Sequence, residues 1–354
     1  MKFKIIPLLI ASLLIISSCK TKEDNNKIIN EVSLKGKNVF EDKFNLQKLY
    51  LIDSIVLVRN ITNKEGYLFS IYKNNEEYNH LFDFGKIGDG PNEFEAEVYC
   101  TTQFDIDEDG IKFWVFEMNR NKFSQIDLTN SLKKKSMVVN KSIRLKPGLS
   151  FKELFQVDQN TIVGNPDNLS IKMNQLTIYD CLNNRVSKNI PFPFDFENTK
   201  SNDINHTQQN YNALFINNLR YNKERNKLVS GMVSLDKIDV FNTDGSFFKS
   251  LKNNDFESFN FEKNMKEPKV FCADLQLGDK YIYVLYSGDS MNNYFENSTP
   301  TKIKIYDWDL NLKYVFKTDV SLNFITVDEN SKKIIGTSMT QEKIVEYKLD
   351  NINL

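Results

Sequence analysis

The sequence predicts an all-β fold made of six consecutive antiparallel sheets, and three observations support this prediction. Short runs in which apolar and polar residues alternate recur along the chain, and such period-2 alternation is typical of β-strands. Most runs end in Asn, Asp or Gly, which accept the backbone conformations that tight hairpins need. Helical periodicity is almost absent. Six such sheets in series predict a six-bladed β-propeller of four-stranded antiparallel blades.

The repeat is clearest in one strand of each unit. A large apolar residue recurs there at steps of 54, 53, 62, 65 and 41 residues, at Tyr72, Ile126, Tyr179, Phe241, Tyr306 and Tyr347. A hairpin precedes most of these strands, as in residues 104–107 followed by 111–116. The last unit is one strand short, and residues 28–40 are predicted to supply this strand and close the ring. A β-sandwich, or two smaller β domains, is the main alternative fold.

Residues 1–18 are predicted to be a lipoprotein signal peptide. Two lysines precede an apolar run that covers residues 5–16, which is too short for a membrane-spanning helix of roughly 20 residues. One hydrophobic and two small residues then lead to Cys19, in an order that resembles the lipobox of bacterial lipoproteins. We therefore expect cleavage after Ser18 and lipidation of the Cys19 thiol. An ordinary secretory signal followed by a chance cysteine is the alternative.

Residues 19–27 are polar and charged, which predicts a flexible tether between the lipid and the propeller of residues 28–354. Residues 22–24, Lys-Glu-Asp, resemble the export signal of Bacteroidetes lipoproteins. This resemblance implies an outer-membrane lipid anchor, and we expect exposure at the cell surface. The alternative is a tether that is merely solvated.

The composition argues against nucleic acid binding and against a zinc site. The formal net charge of −1 becomes −3 when Lys2 and Lys4 leave with the signal peptide. Nothing resembles a basic stripe for a nucleic acid backbone. Cys100, Cys181 and Cys272 lie far apart without a CxxC pair, so a zinc site is not expected. We expect these three cysteines to act as small buried apolar residues.

One motif stands out between the first two predicted blades. Its spacing, G-x-G-P-x-E-F, is set by Gly88, Gly90, Pro91, Glu93 and Phe94. It resembles the signature of TolB-like six-bladed propeller lipoproteins from Bacteroidetes, although Asn92 stands where glycine is more usual. The resemblance covers nearly the whole chain and implies the fold and an envelope location, but no catalytic residue.

We expect this motif to be structural. The two glycines would allow a tight crossing between blades, and Pro91 would fix the backbone there. Glu93 would accept backbone N–H groups, and Phe94 would wedge between two blades. A phosphate cradle is the alternative, but it would require a helix after the glycines, where the sequence predicts strands.

No catalytic, metal or cofactor site is predicted. Asp105, Asp107 and Asp109 imitate the start of a calcium loop, yet the bidentate glutamate that such a loop needs at its twelfth position is missing. A hairpin turn is the favoured interpretation. The chain has two histidines, His80 and His206, and neither belongs to a recognisable Ser-His-Asp pattern.

Two long polar segments, 195–211 and 287–299, are predicted to form loops at one end of the ring. Loops of this length in compact domains are often functional. Tyr211 and Tyr294 are the residues we expect to contact a ligand. Solvent-exposed connections without a binding role are the alternative.

The favoured function is a membrane-anchored binding or scaffolding domain. Its partner would be an envelope protein, a peptide or a glycan, and we expect a monomer outside such a complex. The alternative is an extracellular hydrolase or lyase with its site in the propeller funnel. A purely structural subunit of an envelope complex is the third hypothesis.

Overall fold

The computed structural model describes residues 30–40, 46–60, 66–90, 93–95, 98–167, 174–192, 215–253, 267–296, 299–350 and 352 of the 354-residue chain. The predicted signal peptide, Cys19 and the tether lie outside these residues. Within them, six antiparallel sheets follow one another along the chain, which confirms the predicted six-bladed β-propeller. None of the helices in the described ranges is long and apolar enough to cross a membrane.

Each sheet is one blade, and its strands are paired in chain order. Two N-terminal strands, β1 (Asn30–Ser33) and β2 (Lys37–Val39), join the last two blades. Blade 1 contains β3 (Leu46–Ile52), β4 (Ile55–Asn60), β5 (Tyr67–Lys73), β6 (His80–Ile87) and the short β7 (Glu93–Phe94). Blade 2 contains β8 (Val98–Asp107), β9 (Gly110–Glu117), β10 (Lys122–Asp127) and β11 (Val139–Arg144), with helix α1 (Leu128–Lys134) after β10. Blade 3 contains β12 (Phe151–Gln156), β13 (Thr161–Pro166), β14 (Asn174–Asp180) and β15 (Arg185–Pro191).

The remaining blades follow the same plan. Blade 4 contains β16 (Asn217–Asn222), β17 (Lys227–Met232), β18 (Lys237–Asn242) and β19 (Phe247–Lys252). Blade 5 contains β20 (Asp274–Leu277), β21 (Tyr281–Tyr286), β22 (Lys302–Asp307) and β23 (Leu312–Lys317), with helix α2 (Met291–Glu296) between β21 and β22. Blade 6 contains β24 (Phe324–Asp328), β25 (Lys333–Ser338) and β26 (Lys343–Lys348).

The first strands of the blades surround the central axis. β24 contacts both β3 and β20, β16 contacts β20 and β12, and β12 contacts β8. The six predicted repeat positions, Tyr72 to Tyr347, all lie in the third strand of their blade. The repeat in the sequence therefore marks equivalent strands of six blades.

The N-terminal segment closes the ring at two blades. β2 pairs antiparallel with β26 and supplies the missing fourth strand of blade 6, as predicted. β1 also pairs parallel with β23 of blade 5, which the sequence did not predict. Gly36 lies between these two strands, and a side chain there would overlap Val345 at 1.9 Å. The chain therefore crosses from one blade to the next in close contact with β26.

The apolar core is divided among the spaces between blades. Six clusters of buried residues occupy the described part of the ring, one between each pair of neighbouring blades. Between blades 1 and 2, the rings of Phe69 and Phe113 pack edge to face with centroids 5.4 Å apart. Between blades 6 and 1, Val39 from the closing strand packs with Val56 and Ile335. Both faces of every blade are covered, which explains the nearly continuous buried runs within the middle strands.

Candidate functional site

The cavity at the centre of the ring is the candidate site. It has a volume of about 290 Å³, close to the lower end of the range for small-molecule sites. Each blade contributes to its lining through its first strand, with one representative each in Lys48, Cys100, Lys152, Arg220, Asp274 and Phe324.

The strand directions decide which face of the ring the cavity belongs to. The lining residues lie toward the beginnings of the first strands, for example Lys152 in β12 and Asn218 in β16. Because the strands of a blade run up and down, the connections between blades and those between second and third strands meet at this same face. We call it the loop face, and the opposite face, with the turns after first and third strands, the hairpin face. The described part of the G-x-G-P-x-E-F motif and residues 287–296 lie between strands at the loop face, whereas the predicted binding loop of residues 195–211 lies outside the described residues.

The motif is built around Glu93. Its carboxylate accepts a hydrogen bond from the Gly90 amide at 2.9 Å, and the Gly88 amide donates to the Phe94 carbonyl at 2.8 Å. A Cβ at Gly88 would lie 2.2 Å from the Glu93 carboxylate, and one at Gly90 would lie 2.9 Å from it. The glycines are thus needed for the close approach of a side chain. Pro91 and Asn92 lie outside the described residues.

Phe94 occupies the predicted place between two blades. It is buried and belongs to the cluster that joins blade 1 to Val98 and Phe113 of blade 2. Gly85 faces the Phe94 ring and has a φ of +75°, a backbone conformation that favours glycine. The motif therefore fixes the crossing from the first blade to the second, at the rim of the loop face.

Polar side chains complete the hydrogen bonds of the first strands. Each first strand is an edge strand on its axial side, where N–H and C=O groups lack a neighbouring strand. Arg59 Nε donates to the Val98 carbonyl at 3.1 Å, and Arg220 Nε donates to the Leu275 carbonyl at 2.7 Å. In each case the side chain and the carbonyl belong to neighbouring blades. These arginines connect blades as well as lining the cavity.

An ionic cluster crosses the cavity. Asp274 Oδ1 accepts from Lys48 Nζ at 3.1 Å and from Arg220 Nη2 at 2.8 Å, and its Oδ2 accepts from the Ile325 amide at 3.0 Å. Arg220 also pairs with Glu153. Asp274 therefore joins blade 5 to blades 1, 4 and 6.

Burial and pairing act in opposite directions on these groups. Burial alone would raise the pKa of Asp274, but the cations of Lys48 and Arg220 outweigh it and hold this pKa below its usual value. Burial would lower the pKa of Arg220, but Glu153 and Asp274 raise it. For Lys48, burial prevails over the attraction of Asp274 and lowers the pKa. Asp274 and Arg220 are therefore a charged pair.

Lys152 differs from the other cations of the lining. Its side chain is exposed within the cavity. Among the described residues, none forms a hydrogen bond or a salt bridge with its ammonium group. Enclosure by the ring lowers its pKa, while the neighbouring Glu153 carboxylate acts in the opposite direction. Lys152 is a cation presented to the cavity without a partner in this part of the chain.

The first strand of blade 2 bulges where it lines the cavity. Cys100 is paired with Val115 and Phe104 with Phe113, so residues 101–103 oppose a single residue of β9. Bulges of this kind are frequent next to functional sites. Thr102 lines the cavity, and its hydroxyl oxygen is buried without a hydrogen-bond partner in the described ranges. The bulge therefore leaves a polar oxygen that is not bonded within the described part of the fold and is not reached by solvent.

The lining carries a net positive charge. Its ionisable lysines and arginines number four and its carboxylates two, which gives +2, from Lys48, Arg59, Lys152 and Arg220 against Glu153 and Asp274. The field inside an enclosed cavity with this balance favours an anion. The whole chain has a net charge of −1, so the charge balance of the lining is opposite in sign to that of the chain.

The carboxylates of the acidic segment at the hairpin face are engaged by neighbouring side chains. Asp105 accepts from Trp114 Nε1, from Gln125 Nε2 and from Lys223 at 2.7 Å, whereas Asp107 pairs with Lys112 at 2.8 Å. The described ranges contain no group of three potential ligands around a common point. The segment forms the predicted hairpin, and the Asp105–Lys223 pair links blades 2 and 4 at that end of the axis.

Tyr294, which was predicted to contact a ligand, is instead part of the packing of the fold. Residues 291–296 form α2 rather than a loop, and Tyr294 is only 5% exposed, with its hydroxyl donating to the Leu322 carbonyl at 3.0 Å. Tyr294 thus anchors α2 to the chain that leads into blade 6. The adjacent Phe295 is 58% exposed and is the aromatic side chain that α2 presents to solvent. Tyr211 and His206 lie outside the described residues.

The remaining candidates have simple environments. His80 is exposed and pairs with Asp83 at 2.9 Å. The three described cysteines are not in disulfides; Cys272 is buried, while Cys100 and Cys181 are half-buried. Burial raises the pKa of Cys100 and of Cys272 to about 12, so both are held as neutral thiols.

The sequence did not single out the residues of the cavity. Their signal was a charged residue inside a short first strand, as at Lys152 in FKELFQ and Arg220 in NNLRYN. One chain position per blade carries too little pattern to show that these residues meet. Only ring closure brings them together.

Comparison with known proteins agrees with the fold. The model of the TolB-like 6-blade propeller-like family matches residues 24–330. A member of the DUF4221 family from Bacteroides vulgatus has a similar structure, with a TM-score of 0.54 and 14% identity over 90% of this chain and 98% of that chain. A protein described as exported, from Bacteroides fragilis, gives 0.51 and 10% over the same shares. None of the curated proteins matches the sequence. The chain therefore belongs to the TolB-like six-bladed propeller family.

Proposed function

We propose that this protein is an exported, lipid-anchored binding protein whose ligand enters the central cavity from the loop face. The observation that carries this proposal is a preformed cavity of about 290 Å³ to which all six blades contribute. Concave sites that combine aromatic side chains with a few polar groups are typical of ligand binding. Here Tyr99 and Phe324 supply the aromatic rings, and Lys152 supplies an exposed polar group.

The envelope location rests on the N-terminal sequence and on one structural neighbour. Lipid on Cys19 would hold the protein at a membrane, since two or three acyl chains make release negligible. The similar protein from Bacteroides fragilis is described as exported, which supports the same route for this chain. We place the anchor in the outer membrane, with the propeller at the cell surface.

The strand pairing supports an orientation relative to that membrane. β1 is parallel to β23, and β23, as the fourth strand of its blade, runs toward the loop face. Asn30 at the start of β1 is therefore at the hairpin face. Residues 20–29, between the lipidated cysteine and β1, reach at most about 35 Å. The cavity would then open away from the anchoring membrane, toward incoming ligands.

Binding is favoured over hydrolysis because of the state of the two carboxylates. Hydrolysis of a glycosidic bond commonly needs one protonated and one ionised carboxyl group. Glu153 and Asp274 both pair with Arg220, and the pKa of Asp274 is lowered. Both groups are therefore engaged in holding blades together.

The binding proposal is tested by native mass spectrometry of protein purified from its own envelope. We expect a non-covalent small molecule on the wild type and its loss from Thr102→Trp, which fills the cavity. Ile106→Trp is the matched control, because Ile106 lies in the same strand near the hairpin face and is 60% exposed. A ligand that persists in Thr102→Trp, or that is absent from the wild type, would contradict the proposal.

The anchor is tested separately. Cys19→Ser should move the protein from the membrane fraction to the soluble fraction, and protease added to intact cells should digest the wild type. Retention of Cys19→Ser in the membrane would refute lipid anchoring, and full protection from protease would refute surface exposure.

A further inference from the structure

Three of the four cations that line the cavity hold the ring together, and the fourth does not. Lys48 pairs with Asp274, Arg220 pairs with Asp274 and Glu153, and Arg59 donates to the Val98 carbonyl. Each of these contacts joins two blades. The positive charges of Lys48, Arg59 and Arg220 are thus explained by the fold itself.

Lys152 is not explained in this way. It is exposed inside the cavity and has no hydrogen-bond or salt-bridge partner in the described part of the chain. Its neighbour in the chain, Glu153, directs its carboxylate to the Leu219 amide at 2.6 Å and to Arg220. An enclosed ammonium group without a hydrogen-bonded counter-charge is unfavourable. Burial lowers the pKa of Lys152, and the nearby Glu153 and Asp167 carboxylates offset only part of this effect. An anion in the cavity would remove the cost.

The rest of the lining limits the size and character of this anion. A volume of about 290 Å³ accommodates a molecule of single-sugar or single-amino-acid size. Tyr99 is 42% exposed and offers an aromatic surface, and Phe324 contributes a second ring to the same lining. A partly apolar organic molecule satisfies these features better than an inorganic ion does.

We propose that the cavity binds a small organic monocarboxylate and that Lys152 is the residue that pairs with its carboxylate. This inference rests on the binding function proposed above and specifies its ligand class. One unpaired ammonium matches one negative charge, whereas a phosphate dianion would bring two charges against a single unpaired cation. Arginine is the residue that recognises phosphate bidentately, and Arg220 is occupied by two carboxylates.

Isothermal titration calorimetry with two matched pairs of compounds tests the proposal. D-glucuronate is compared with D-glucose, and N-acetylalanine with N-acetylalanine amide, so that each pair differs in the carboxylate. We expect at least one acid to bind at least about tenfold more tightly than its neutral partner, as a charge-assisted hydrogen bond predicts. The pair that responds distinguishes a sugar scaffold from a peptide terminus. Inorganic phosphate should bind more weakly than that acid.

The variants make the test specific for Lys152. Lys152→Met should abolish the preference for the acid, and Lys152→Arg should retain most of it. Lys343→Met is the control, since Lys343 is an exposed lysine at the beginning of β26. The proposal is overturned if neither acid is preferred, if phosphate binds more tightly, or if the preference survives Lys152→Met. If native mass spectrometry still shows a ligand that Thr102→Trp excludes, binding stands and only the ligand class is wrong.

Discussion

The ionic cluster at the axis leads to a quantitative prediction about stability. Asp274→Asn removes the carboxylate that joins Lys48 and Arg220 while preserving the shape of the side chain. Breaking a buried ion pair from one side costs about 3–5 kcal/mol, because the remaining charges are left without full compensation. With an unfolding entropy of about 2 cal/mol/K per residue over the described residues, this corresponds to a fall in Tm of about 6–9 °C.

The assay is thermal unfolding followed by circular dichroism and calorimetry at pH 7. Asp309→Asn is the matched control, because Asp309 is 76% exposed and pairs with Lys249 at the surface; exposed pairs contribute less than about 1 kcal/mol. A second check is Lys48→Met in the Asp274→Asn background, which should restore part of the loss. If Asp274→Asn lowers Tm no more than Asp309→Asn does, the cluster does not hold the ring together.

The same variant has a defined pH dependence. The pKa of Asp274 is lower in the folded protein than in the unfolded chain, so its contribution to stability is complete above about pH 4, the unfolded value. This contribution is lost as pH falls through the folded pKa. The Tm difference between wild type and Asp274→Asn should therefore be constant from pH 5 to pH 7 and shrink below about pH 4. A difference that persists at low pH would refute the role of the charge.

Three further predictions concern the loop-face motif, the closing segment and a buried thiol. Gly88→Ala should lower the free energy of unfolding by about 1–3 kcal/mol, because the added methyl group displaces the Glu93 carboxylate. In a Glu93→Ala background the same substitution should lower it by less than about 0.5 kcal/mol. Equal losses in the two backgrounds would refute the contact. Gly36→Val should lower the free energy of unfolding by about 2 kcal/mol or more, because the new side chain overlaps Val345. The N-terminal segment should then become sensitive to limited proteolysis, and resistance equal to that of the wild type would contradict this prediction. The Cys272 thiol has a pKa of about 12, so about 1 in 10,000 of these thiols is ionised at pH 8. It should therefore resist an aromatic disulfide reagent until the protein is unfolded. Rapid labelling of Cys272 in the native protein would contradict this prediction.

The sequence determined the repeating architecture. Each third strand carries its own alternating run and turn residues, as in residues 238–242 followed by Asp244 and Gly245. These signals are local, because side-chain alternation and turn conformation depend on neighbours in the chain. The missing strand of the last unit also followed from counting local elements. The role of Glu93 and Phe94 could be predicted for the same reason, since the motif contacts itself and the blades on either side of it.

The tertiary structure decided which residues form the site. Lys48, Lys152 and Asp274 lie far apart in the chain and meet because ring closure places the first strands around one axis. The structure also decided that Tyr294 is buried against the chain entering blade 6, while Phe295 faces solvent. A single charged residue in a short strand has no local pattern that shows whether it will meet a counter-charge, a carbonyl group or an open cavity. Which of these it meets depends on strands from other blades, and for Lys152 it is the cavity.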